Sequence, residues 1–109
     1  MPHDEALASR LRTALKRRAG LEERRMFGCA CWMLHGNLLC GVEVGRFLFR
    51  TGPDLQAEAC ARPGARPMDM AGKPMRGFVW VEAGSVPDAT TLRSWIDLAL
   101  RFVKTLPAK

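Results

Sequence analysis

The first apolar pattern in the chain has helical spacing. Leu7, Leu11, Ala14 and Leu15 recur at three- and four-residue intervals between Asp4, suited to cap a helix, and Gly20, suited to end one. This predicts a helix from Asp4 to about Ala19, with Leu21 folding back. From Arg25 to Thr51 the period changes. The stretch RMFGCACWMLHGNLLCGVEVGRFLFRT alternates and is broken at Gly36-Asn37 and Val44-Gly45, both suited to two-residue hairpin loops. It reads as three antiparallel strands in which His35 pairs with Leu38, Met33 with Cys40, Cys31 with Val42, and Val42 with Phe47. Strand side chains alternate between faces. One face then collects Cys29, Cys31, Met33, Cys40, Val42, Phe47 and Phe49, and is expected to meet the helices. The other collects Ala30, Trp32, Leu34, Leu39, Gly41, Glu43, Arg46, Leu48 and Arg50, and is expected to face water or a partner.

Beyond Thr51 the punctuation is by proline. Gly52-Pro53-Asp54 starts a short helix carrying Leu55, Ala59 and Cys60, which ends near Arg62 because Pro63 follows. Arg66 to Met70 reads as a short strand at a sheet edge, since Pro67 cannot donate to a ladder. Ala71 to Met75 reads as a loop. Arg76 to Glu82 is a fifth strand, with Phe78 and Trp80 on one face and Val79 and Val81 on the other. Met68, Met70 and Met75 are expected to fill gaps beneath it. Asp88 caps the last helix, where Leu92, Trp95, Ile96, Ala99, Leu100 and Val103 make a broad buried face, and Pro107 ends it. The order α-β(3)-α-β(2)-α implies an α+β fold in two layers, with helices packed on a mainly antiparallel five-stranded sheet. The 109 residues are expected to form a single domain, 1–109.

Charge and cysteine usage narrow the setting. Seventeen Lys and Arg against 11 Asp and Glu give a net charge of +6, which permits an acidic partner. No apolar run approaches the ~20 residues of a membrane helix. Asp4 and Glu5 sit where a signal peptide would carry its apolar core, so a cytoplasmic location with reduced cysteines is expected.

Candidate chemistry is sparse. Cys29, Cys31 and Cys40, with Met33, share one face in this register and could hold a soft metal. Zinc sites, however, place cysteines in turns where the sulfurs converge, and these lie along strands amid Val42, Phe47 and Phe49. Core packing is the favoured reading, and a thiol or metal protein the lesser one. His3 and His35 stand in no pattern with a nucleophile, and Ser9, Ser85 and Ser94 lack elbow glycines. No enzyme activity, metal or cofactor is expected. The surface best suited to function is the supposed open sheet face. There Trp32, Leu34, Leu39 and Leu48 would form an apolar patch rimmed by Arg46 and Arg50, binding a protein partner or a second copy in a homodimer. The alternative is weak, sequence-independent nucleic-acid binding through Arg10, Arg12, Lys16 and Arg17 of the first helix.

A series of short motifs adds a family. Arg25-Met26-Phe27-Gly28, the Gly36 hairpin, Gly41, Arg62-Pro63-Gly64-Ala65-Arg66-Pro67-Met68, Gly72-Lys73-Pro74-Met75-Arg76-Gly77-Phe78-Val79 and the stretch from Pro87 to Trp95 follow one another in order. Together they resemble the N-terminal domain of the TfoX/Sxy family, from about residue 20 to residue 107. The family's Met-Phe-Gly-Gly opening is here Met26-Phe27-Gly28-Cys29. The resemblance implies a two-layer α-β(3)-α-β(2)-α fold and a regulatory role. The best-known members regulate natural competence in bacteria by assisting a transcription activator, and carry a second, C-terminal domain that the resemblance here does not reach. No catalytic residues come with it.

Overall fold

The computed structural model describes residues 5–16, 18–26, 29–70 and 72–108. The expected Asp4 cap, His3 and Arg17 lie outside them. The chain runs α1 (Glu5–Leu15), β1 (Leu21–Met26), β2 (Cys29–Leu34), β3 (Asn37–Glu43), β4 (Arg46–Arg50), α2 (Gln56–Cys60), β5 (Ala65–Met70), β6 (Lys73–Glu82), a 3-10 turn at Ala83–Ser85, and α3 (Ala89–Val103). The strands form one antiparallel sheet in the order β1-β2-β3-β4-β6-β5. The α+β class therefore holds, but the sheet has six strands rather than five.

The additional strand is β1. Glu22-Glu23-Arg24-Arg25 reads in the sequence as a short charged connection into the first strand, yet with Leu21 and Met26 it pairs along the whole of β2, from Leu21 opposite Leu34 to Met26 opposite Cys29. An edge strand needs only one partner, and charged side chains on it discourage further pairing. Arg12 on α1 also holds it, donating to both carboxylate oxygens of Glu23 at 2.9 Å. The room for β1 comes from α1, which stops at Leu15 instead of reaching Ala19. The opposite edge is β5, where Pro67 sits as expected. β6 starts earlier than expected, at Lys73, so most of the anticipated Ala71 to Met75 loop is strand.

The second correction concerns which face of β2 is buried. The first hairpin turns at His35-Gly36, not at Gly36-Asn37, with Leu34 opposite Asn37. Both turn residues have positive φ, 51° and 85°, as this tight hairpin loop requires. A β-bulge follows, so that Met33 lies opposite Leu38 but Trp32 opposite Cys40, with Leu39 as the extra residue. The turn shift exchanges the two faces of β2, and the bulge restores those of β3 and β4. Ala30, Trp32 and Leu34 thus join Cys40, Val42, Phe47 and Phe49 under the helices, together with Val79 and Val81 of β6. Cys29, Cys31 and Met33 take the face that carries Glu43, Arg46, Leu48 and Arg50.

The helices complete the main core. Leu7, Leu11 and Leu15 of α1 and Leu92, Trp95, Ile96, Ala99, Leu100 and Val103 of α3 are buried against the sheet. Asp88 caps α3 as the sequence predicts, its carboxylate accepting from the Thr91 amide at 2.8 Å. That bond holds the Asp88 carboxyl below the usual carboxylate range. Short α2 is tied down by Gln56, whose side chain accepts from the Gly77 amide and donates to the Phe78 carbonyl, both at 3.2 Å. Beyond α3, the Pro107 carbonyl accepts from Asn37 Nδ2 at 2.9 Å, fixing the C-terminal segment to the start of β3.

Candidate functional site

Two surfaces remain for function: the sheet face without helices, and the outer side of the helical layer.

The helix-free face carries a small second core. Leu48, Met68 and Trp80 are buried together, and Leu38, Met75 and Phe78 pack around them while half exposed. Met68 enters this cluster at a β-bulge between Pro67 and Asp69. Met68 therefore packs beside β6 as expected, whereas Met75 belongs to β6 itself and is half exposed; the Met70 side chain lies outside the described positions. The Arg46 guanidinium lies over Trp80, 3.7 Å from the ring centroid, and is held by Glu43 through Nε at 2.7 Å and Nη2 at 2.6 Å. Arg50 lies 5.4 Å from the Phe78 ring centroid and 5.5 Å from that of Phe102. Burial lowers its pKa. Of the patch proposed from sequence, Leu48, Arg46 and Arg50 are on this face. Trp32, Leu34 and Leu39 are not: they are 3%, 6% and 0% exposed within the main core. The residues that replace them are Leu38, Phe78 and Met75. Correct alternation on β6 singles out Phe78; only the register of β2 against β3 identifies Leu38.

The thiols do not converge. Cys29 and Cys31 lie on the helix-free face and Cys40 on the helix side. Among the described residues no three His, Cys, Asp or Glu side chains are grouped to hold a metal ion. Burial pushes the Cys31 thiol up to about 11, with a contribution from Cys29, and pushes Cys40 higher still. Cys29 is raised by burial and by Glu43, whose Oε2 accepts from its Sγ at 3.8 Å. Cys60 is raised by burial alone. Thiolate is the reactive form. We therefore expect alkylation at neutral pH, followed by mass spectrometry, to modify half-exposed Cys29 and Cys60 first, Cys31 slowly, and Cys40 only on unfolding. Early modification of Cys40 in the folded chain would contradict its placement.

The first helix is less available to an anion than its sequence suggests. Arg12 is shared between Glu23 and Glu5, the latter at 3.2 Å. These bonds raise its pKa and lower that of Glu23. Arg10 donates to the Asp88 carbonyl at 3.3 Å and lies 5.5 Å from the Phe47 ring centroid. Lys16 is exposed, and Arg17 lies outside the described residues. The basic residues that sequence reasoning passed over are on the outer side of α3. Arg93, Asp97 and Arg101 follow at four-residue intervals on its exposed side, with Lys104 just beyond. Their signal was the polar half of the same period that marked the buried half. The one remaining described histidine, His35, packs its ring against Gly20, where a Cβ would come within 2.3 Å of it.

The architecture defines a two-layer α+β domain, one antiparallel sheet beneath three helices. Residues 13–103 match the TfoX N-terminal domain family, and the chain belongs to it. Neither a curated protein nor a solved structure matches the chain. No described helix is long and apolar enough to cross a membrane.

Proposed function

We propose that this TfoX N-terminal domain is a non-enzymatic regulatory module, and that its helix-free sheet face docks a protein partner, in the first instance a second copy of the chain. The observation that carries this reading is the second apolar cluster, Leu48, Met68 and Trp80 with Leu38, Met75 and Phe78, lying on a face that none of the described helices covers. Half-exposed aromatic and methionine side chains around a buried centre suit an interface core. Arg46 and Glu43 at its margin form a charge pair that a two-fold axis can repeat on both copies, fixing orientation more than affinity. The non-enzymatic part rests on the thiols, whose pKa values are raised rather than lowered.

Analytical ultracentrifugation of the wild type, Leu38→Asp and Phe78→Asp tests the dimer. We expect a concentration-dependent dimer for the wild type and folded monomers for both variants, because neither residue is fully buried in one copy. A wild type that stays monomeric at high concentration overturns self-association.

A further inference from the structure

The distribution of ion pairs separates two parts of the surface. Arg12, Arg24, Arg46 and Arg66 hold Glu5, Glu22, Glu23, Glu43 and Glu82. All of these lie on the sheet or on α1. Around α3 the charge is not matched. Two adjoining clefts of about 490 and 400 Å³ share Asp97 and Arg101; the first also has Arg18 and Lys104 on its walls, the second Arg62 and Arg93. Among the described residues none of these five cations makes an ion pair, and neither does Asp97, the single acid in either cleft.

We infer that the outer side of α3 is a binding surface for the phosphate backbone of a nucleic acid, read without regard to sequence. The arrangement is a line rather than a point. From Arg93 to Lys104 the helix rises about 16 Å, against the 3.4 Å between successive phosphates of one strand along a duplex axis. The line thus covers about five base-pair steps. Part of it is pre-oriented: Arg62 donates to Ser94 Oγ at 2.9 Å and lies over the Trp95 ring, 4.7 Å from its centroid, so its guanidinium is held on the wall of the second cleft. The exposed residues of α3 that share the second cleft with the cations are Thr90, Ser94 and Asp97. Hydroxyls and arginines are the usual phosphate contacts. An acidic protein would need apolar anchors at the centre of its footprint; here the one half-exposed large apolar side chain described on the cleft walls is Leu106, at the far end beyond Lys104. No Asn or Gln projects from α3 to read base edges, so the contacts are to the backbone.

The test is fluorescence anisotropy with a labelled mixed-sequence DNA duplex across a salt series. It uses the wild type, Arg93→Glu with Arg101→Glu, and a control of equal charge change, Arg66→Glu with Arg76→Glu, on the strands β5 and β6. The wild type should bind duplexes of different sequence alike, with log affinity falling against log salt at a slope of about −3 to −4. The α3 double variant should weaken binding uniformly and lower the magnitude of that slope by about 2, while the control retains wild-type behaviour. Circular dichroism establishes that each variant is folded. The inference is overturned if both double variants lose binding equally, since net charge alone would then explain it. It is also overturned if no duplex binding is seen at low salt, or if polyglutamate competes as well as unlabelled duplex.

Discussion

Replacing Trp95 by alanine is expected to lower the unfolding free energy by about 3–5 kcal/mol, the range for truncating a buried aromatic. Trp95 is 2% exposed and stacks on Phe49 with ring centroids 5.3 Å apart and planes inclined at 14°. Phe49 is fully buried and lies on β4, in the middle of the sheet. Loss of the indole therefore opens a cavity where α3 meets the sheet, and it also removes the surface on which Arg62 rests. Domains of this size are stable by about 5–15 kcal/mol, so the loss is a large share of the total. Urea denaturation followed by far-UV circular dichroism measures it. An unchanged midpoint would show that α3 is not seated where the stacking places it.

A larger effect is expected from Trp32→Asp, which should leave the chain unfolded. Trp32 is 3% exposed, on the helix side of β2 and opposite fully buried Cys40. Aspartate there would leave the indole's place beside Leu15 and Leu21 empty and set a carboxylate at the inner wall of a cleft that Arg12, Lys16, Arg18 and Glu23 also line. Emptying a large aromatic site and burying a charge are both among the few mechanisms that exceed about 4–5 kcal/mol, and this one change combines them. Phe78→Asp, on the other side of the same sheet, should remain folded. Circular dichroism and a denaturant titration of the two variants side by side make the comparison. A folded Trp32→Asp with an unfolded Phe78→Asp would mean that the two sides of the sheet are exchanged.

The same pair of residues marks how far the sequence could be read. The sequence favours Gly36-Asn37 for the first turn because both residues suit the positive φ of a two-residue hairpin loop. The structure uses His35-Gly36 instead, and reserves Asn37 for a bond to the Pro107 carbonyl, 70 positions away. Information of that kind is not local, and a one-residue difference moved Trp32 and Leu34 from the supposed partner surface into the core. The slip stayed confined to β2 because the bulge at Leu39 absorbed it. Cys40, Val42, Phe47 and Phe49 were therefore assigned correctly, as were the Asp88 cap and the Pro67 edge strand, each carried by chemistry within a few residues. β1 escaped because Glu-Glu-Arg-Arg has neither alternation nor β propensity, and becomes a strand only through β2 and Arg12. On the candidate surfaces, Leu48, Arg46 and Arg50 were legible on β4. The arginines around α3 were visible in the sequence but acquire meaning only when folding brings Arg18 and Arg62 alongside them.

The position of β1 has a consequence for solubility. The strand it shields, β2, reads Cys-Ala-Cys-Trp-Met-Leu: six residues with no charge, no proline and no glycine. Segments of that composition stack into cross-β aggregates when their edges are bare. β1 occupies that edge with four consecutive charged residues, and so acts as a gatekeeper as much as a structural strand. Its hold is partly electrostatic, through Arg12 and Glu23, and exposed ion pairs weaken as salt rises. Aggregation of this protein should thus begin with the detachment of one edge strand, ahead of global unfolding.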